Sequence, residues 1–118
     1  MTEEYSNKTH ELKVWSEFYD KISSKSKQFE VRKNDRDFKV GDTLILREFI
    51  PCDKCNGSGK VWDSGDKALC NCPEPHGEFT GNRADASVDY VLHGGQFGIV
   101  EGYCVMSITV LGTRKVYK

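Results

Sequence analysis

Four of the five cysteines lie close together, as Cys52-x2-Cys55 and Cys70-x-Cys72. Two thiolates separated by two residues let the chain curl around one tetrahedral metal. Gly57 and Gly59, just beyond Cys55, free backbone amides to approach the sulfurs. A second pair must complete such a site, and Cys70-Asn71-Cys72 follows Cys55 after 14 residues. Cys-x-Cys is the less regular hook, so His76, four residues beyond Cys72, is an alternative ligand to Cys70. Zinc in a structural role suits the set, because a catalytic zinc keeps an open position and usually takes His or carboxylate ligands. Iron in a rubredoxin-like site fits Cys-x-Cys less well. The rival readings are four unliganded thiols in a loop, or disulfides. Disulfides conflict with the reducing cytosol expected for a chain whose Met1–His10 has no secretory character.

A second constellation is Lys27, Glu30 and Arg32. The segment Lys27–Lys33 alternates, with Phe29 and Val31 expected to face the core. Gln28, Glu30 and Arg32 then project from the other face at about 7 Å steps, with Lys27 at the entrance and Lys13 on the opening strand. Between residues 25 and 39, Lys25, Lys27, Arg32, Lys33, Arg36 and Lys39 outnumber Glu30, Asp35 and Asp37. Such a local positive patch suits phosphates of RNA or a nucleotide. The plainer alternative is a surface ion pair of Glu30 and Arg32 among solvated lysines. If the chain is an enzyme, Lys27 and Glu30 are the candidate catalytic residues, with Glu30 as general base and Arg32 orienting a phosphate. His10 and His93 lie in no catalytic motif and read as turn or surface residues. In the cysteine-rich loop, Trp62 with Lys54, Lys60 and Lys67 suits a nucleic-acid contact, a cover for the metal, or a protein partner of the loop.

The elements that must hold these groups are short. Met1 to Lys8 shows no apolar period, and residues 1–9 read as a flexible tail before a single domain over 10–118. His10–Val14 predicts a strand with Leu12 and Val14 on one face. Trp15, Phe18, Tyr19 and Ile22 recur at helical spacing, with Ser16 as N-cap and Ser23-Ser24 as the stop. Asn34–Asp37 and Val40-Gly41-Asp42 are turns, the second leading into a strand from Thr43 to Phe49. The insertion over 50–78 is rich in Cys, Gly, Asp and Pro, and only a bound ion gives so long a polar stretch a means of order. Val88, Tyr90 and Leu92 alternate again. Tyr103–Leu111 is the strongest strand, with Cys104, Met106, Ile108 and Val110 on one face, so Cys104 is a core residue.

With 118 residues, one domain accounts for the chain. Seventeen basic against 18 acidic side chains give a net charge of −1, which excludes a polycation acting on nucleic acid as a whole. The longest apolar run, Tyr103–Leu111, is too short to span a membrane. One helix among five or six strands predicts a mainly β (α+β) fold, a small β-barrel with the helix packed on it.

Two resemblances follow from these residues. His10–Trp15 and Lys27–Asp42 resemble the ASCH branch of the PUA-like superfamily, and are similar to a family of short ASCH-like proteins found in bacteria and phages. Lys27, Glu30 and Arg32 fall on the polar positions of the ASCH signature, and Lys25 stands where that signature has Gly. Weaker matches at Leu44–Glu48, Phe79–Arg83, Val88–Leu92 and Gly102–Ile108 bring the likeness to about two thirds of the chain. The resemblance implies a PUA-like barrel with a cleft beside the helix for RNA or a nucleotide, served by Lys13, Lys27, Glu30, Arg32, Lys33 and Arg36. Some ASCH relatives are amidohydrolases acting on acylated cytidine, or ribonucleases. The Thr nucleophile of the amidohydrolase pattern, three residues after the Lys, is replaced here by Glu30, which cannot act as a hydroxyl nucleophile. Separately, Cys52–Gly59 resembles the zinc hook in the cysteine-rich region of the J-domain chaperones, and implies metal binding only.

Overall fold

The computed structural model describes residues 6–63 and 65–115. Among these, the elements run β1 (Thr9–Trp15), α1 (Ser16–Ser23), β2 (Phe29–Lys33), β3 (Thr43–Pro51), β4 (Lys60–Asp63), β5 (Asp66–Leu69), β6 (Gly77–His93) and β7 (Tyr103–Arg114). Five strands form one curled, half-barrel sheet in the order β1-β3-β6-β7-β2. β1 and β3 are parallel and the remaining pairs of that sheet antiparallel. The fold is therefore mainly β with one short helix. Two strands were not expected: β4 and β5 pair as a separate hairpin inside the cysteine-rich insertion. The expected strand around Val88–Leu92 is the end of a 17-residue strand that begins at Gly77. No helix among the described residues is long and apolar enough to cross a membrane.

Alternation builds the core on the concave face. Leu12 and Val14 of β1, Leu44 and Leu46 of β3, Ala84, Ala86 and Val88 of β6, and Cys104, Met106 and Ile108 of β7 are all buried there. Tyr19 and Ile22 of α1 cover them. Phe18 does not join this cluster and remains partly exposed. The helix begins at Ser16 itself, with Trp15 at the N-cap in extended conformation and no side-chain cap, so the capping expected of Ser16 is not made. Its end is a Schellman turn: Lys25 N–H donates to the Ile22 carbonyl (2.9 Å) and Ser26 N–H to the Lys21 carbonyl (2.9 Å). Lys25 consequently sits at φ +66, the left-handed conformation that favours glycine.

β2 is inverted relative to expectation. Glu30 is 4% exposed, whereas Val31 is 51% exposed and Phe29 nearly as open. Lys27 and Arg32 neutralise the inward-turned Glu30 carboxylate, so alternation leaves the Phe29 and Val31 side chains open to solvent. β6 departs as well: a register shift between Val88 and Tyr90 breaks the alternation, burying Val91 and exposing Tyr90.

The edge strands β1 and β2 do not pair through their backbones. Instead, Arg32 Nη2 donates to the Lys13 carbonyl (2.8 Å), and Arg36 Nη1 donates to the Glu11 carbonyl (2.6 Å). Alternate carbonyls of an extended strand point the same way, so two arginines occupy one free edge of β1.

Buried Asp42 locks the turn before β3. His10 Nε2 stands 2.8 Å from Oδ2, and the backbone N–H groups of Lys8 and Lys39 each donate to the carboxylate at 3.1 Å. His10 is thus a buried turn-locking residue, edge-on to Phe38, and not a surface one. Burial pushes the Asp42 carboxyl up, but hydrogen bonds from Ser6, His10, Lys39 and Lys8 together hold it below its ordinary value of 3.8. Of the tail expected over residues 1–9, Met1–Tyr5 lie outside the described residues. Ser6 N–H donates to the Val40 carbonyl (2.9 Å), and Thr9 already belongs to β1.

Candidate functional site

The seam between β1 and β2 widens into a cleft of about 510 Å³, lined by Lys13, Val14, Trp15, Phe18, Lys27, Glu30, Val31 and Arg32. β1 delivers Lys13 and Trp15, the first turn of α1 delivers Phe18, and the Schellman turn returns the chain at Lys27 to enter β2. Glu30 lies between two cations: Lys27 Nζ is 2.7 Å from Oε1 and Arg32 Nε 2.9 Å from Oε2. Lys27 also donates to the Phe29 carbonyl (2.8 Å), and its ammonium stands 4.9 Å from the Phe29 ring centre. Among these lining residues three cations face one carboxylate, so the cleft keeps a positive surplus beside aromatic walls.

Of the residues expected here, Lys13, Lys27, Glu30 and Arg32 are brought together. Lys33 and Arg36 do not line the cleft. Lys33 is exposed at the far end of β2, and Arg36 is committed to the Glu11 carbonyl. Lys39 pairs with Asp37 (3.4 Å), and Gln28 turns back to donate to the Lys25 carbonyl (3.0 Å). The patch counted along the chain is therefore divided in space. Trp15 and Phe18, expected to pack the helix on the core, are the cleft residues that sequence reasoning missed. Their signal was their place one turn apart, directly after the strand that carries Lys13.

The second site is the sulfur cluster. The Sγ atoms of Cys52, Cys55, Cys70 and Cys72 all lie within 4.8 Å of one another. Cys52 and Cys70 are 3.9 Å apart, and Cys55 and Cys72 are 3.5 Å apart. A tetrahedron with metal–sulfur bonds of about 2.3 Å has edges of about 3.8 Å. These separations fit one ion held by four thiolates, and all four cysteines are free of disulfides. His76 is not a fifth member of the group. Its Nδ1 stands 3.2 Å from Cys72 Sγ, the place of an outer hydrogen-bond partner that orients a ligand. Gly59 makes room for that ring: a Cβ there would lie 2.8 Å from His76 Nε2, and the backbone sits at φ +78. Backbone N–H groups of Cys55 and Lys54 pull the Cys52 thiol down to about 7. Desolvation and the neighbouring thiols of Cys70, Cys55 and Cys52 push Cys72 up. A divalent cation removes that conflict by taking every sulfur as thiolate. Cys104, far from the cluster, is fully buried in the core, and burial pushes its thiol up.

A family model described as a domain of unknown function, DUF3850, matches residues 9–108. The chain belongs to the DUF3850 family. The match runs from the first residue of β1 into β7, so this DUF3850 domain includes the cleft, the sulfur cluster and all five strands of the half-barrel. The chain is also 42% identical, over 43 residues, to a protein of Escherichia phage P2 named "Uncharacterized 12.9 kDa protein in GpA 3'region". That alignment covers 36% of this chain and 39% of the phage protein. The DUF3850 chain thus carries two chemically distinct centres: a polar cleft built by the main sheet and a cysteine centre built by an insertion.

Proposed function

We propose that this DUF3850 chain is an RNA- or nucleotide-binding module of the ASCH, PUA-like type, with a zinc ion as the structural centre of its insertion. The observation that carries the proposal is the cleft between the edge strands. It combines Lys13, Lys27 and Arg32 for phosphate oxygens, Trp15 and Phe18 as aromatic walls, and Glu30 as an acceptor. Phosphate contacts supply affinity and stacked or hydrogen-bonded bases supply selectivity. The conformation of Lys25 supports the ASCH resemblance, because that residue adopts the backbone geometry of the glycine it replaces. An all-thiolate donor set with tetrahedral spacing suits zinc, as it also suits iron, and the Cys-x-Cys hook is what sets the site apart from a rubredoxin-like iron centre.

The test is equilibrium binding. Trp15 and Trp62 are the two tryptophans of the chain, so a Trp62→Phe background leaves Trp15, in the wall of the cleft, as the one indole reporter. Nucleotides should change that fluorescence, and affinity for single-stranded RNA should fall with salt. Arg32→Ala should weaken binding and reduce the salt slope by about 0.7. Absence of binding at low salt, or binding indifferent to both salt and Arg32, overturns the proposal. Turnover of RNA or of an acylated nucleoside that disappears in Lys27→Ala and Glu30→Gln would replace it with the hydrolase reading, which the placement of both side chains in one cleft keeps in view.

A further inference from the structure

The β4–β5 hairpin forms a sheet of its own. Its register opposes Lys60 to Leu69 and Trp62 to Lys67, which puts these four side chains on one face. All four are exposed, and Trp62 is 74% open to solvent. The indole is therefore mostly open to solvent, although it shares a groove with Cys52, Cys70 and Cys72. Val61 and Ala68 occupy the opposite face and are half-buried, and Asp66 shares that face with Ala68.

An isolated two-stranded hairpin is marginally stable in water, but this one is pinned at its base. Cys52 and Cys55 precede β4, Cys70 and Cys72 follow β5, and Cys70 N–H donates to the Gly59 carbonyl (2.8 Å). A groove of about 500 Å³ beside the hairpin takes Trp62 and Leu69 from this face, Val61 and Ala68 from the other, and Asp53 and Lys54 from the cysteine hook. Lys67 Nζ lies 5.9 Å from the centre of the Trp62 ring. An open aromatic plane with the Lys67 ammonium beside it and Lys60 on the same face complements a chain of flat bases joined by phosphates.

We propose that this face is a second nucleic-acid contact, where an unpaired base of a single strand stacks on Trp62 while Lys60, Lys67 and Lys54 meet neighbouring phosphates. The inference rests on the nucleic-acid reading of the cleft, and extends the bound ligand from a nucleotide to a strand.

The experiment uses the full chain loaded with zinc, a short uridine oligoribonucleotide and uridine monophosphate. Trp62→Ala should lower affinity for the oligonucleotide about tenfold to hundredfold. It should leave affinity for the mononucleotide, melting temperature and zinc content unchanged. Trp62→Phe should retain most of the binding, and Lys60→Ala with Lys67→Ala should reduce the salt slope by about 1.4. Oligonucleotide binding that depends on Arg32 but not on Trp62 overturns the hairpin contact and leaves the cleft standing. Binding that depends on Trp62 but not on Arg32 supports the hairpin and removes the cleft. Failure to bind RNA together with Trp62-dependent capture of a polyglutamate peptide overturns the assignment in favour of an acidic protein partner.

Discussion

Replacing Glu30 by Gln tests the inverted strand and the cleft together. The side chain is 5% exposed, while Lys27 and Arg32 are 19% and 27% exposed. Removing the carboxylate leaves two cations largely out of water without a counter-ion. Breaking a fully buried pair in this way costs about 3–5 kcal/mol. Here Lys27 keeps the Phe29 carbonyl and Arg32 keeps the Lys13 carbonyl, and both retain some solvent. About half of that cost, roughly 2 kcal/mol, is the expected loss. Unfolding entropy of about 2.1 cal/mol/K per residue over 118 residues is about 0.25 kcal/mol/K, so the melting temperature should fall by about 8 °C. The assay is thermal unfolding by calorimetry, with Glu30→Gln, Arg32→Met and the double variant forming a cycle. The double variant should be less destabilised than the sum of the single ones by about 1 kcal/mol, since residues in contact couple. Val31→Ala is the control. At half exposure it should cost less than about 0.5 kcal/mol. Wild-type melting for Glu30→Gln with clear destabilisation by Val31→Ala would refute the strand phase, and with it the placement of Glu30 in the cleft.

Four further outcomes are expected. Because Asp42 is held below 3.8 when folded, its stabilising contribution is complete above the unfolded pKa and lost as pH falls through the folded value. Asp42→Asn should therefore lower stability at pH 7 and flatten the acid decline below pH 4 in urea unfolding, and an unchanged acid profile would contradict the buried network. Lys25→Gly should raise the melting temperature by a few degrees, since glycine relieves a left-handed lysine worth about 1 kcal/mol; a lower melting temperature would count against the Schellman turn. Protein purified without chelator should hold one zinc equivalent, and chelation should speed amide hydrogen exchange in residues 50–78 far more than in β3, β6 or β7. Gly59→Ala should weaken zinc retention by displacing His76, and full retention would remove that ring from the site.

The strands β1 and β7, and β3 as far as Leu46, were legible because apolar residues recur there at every second place on the core side. Phe29-Glu30-Val31-Arg32 shows the same period, yet period two says which residues share a face and not which face turns inward. The ordinary preference for apolar burial chose wrongly there, because the concave side at this edge is a polar cleft closed by ion pairs. A single extra residue after Val88 was enough to hide the burial of Val91, since a bulge leaves no mark in composition. The cysteine cluster was legible because its spacing is local chemistry, and local spacing survives folding. Arg36 was not: charge can be counted along a chain, but the free carbonyl that claims a guanidinium is known only once β1 and β2 approach each other.

The open seam is what leaves room for the cleft. Backbone pairing between β1 and β2 would close the sheet and erase the cleft, whereas an unprotected edge would invite another strand. Arg32 and Arg36 occupy the β1 edge with side-chain hydrogen bonds and so avoid both results. Trp15 stands where β1 ends at this seam. Trp15 lines the cleft and its ring also lies near Gly57 of the cysteine hook, where an added Cβ would stand 3.6 Å from Trp15 Cζ2. The hook that follows Cys55 therefore lies next to a wall of the cleft. Loss of the metal should loosen Trp15 even though the core of the half-barrel keeps its packing. Chelation that releases the insertion but leaves Trp15 fluorescence unchanged in a Trp62→Phe background would show that the two centres share a chain and nothing more.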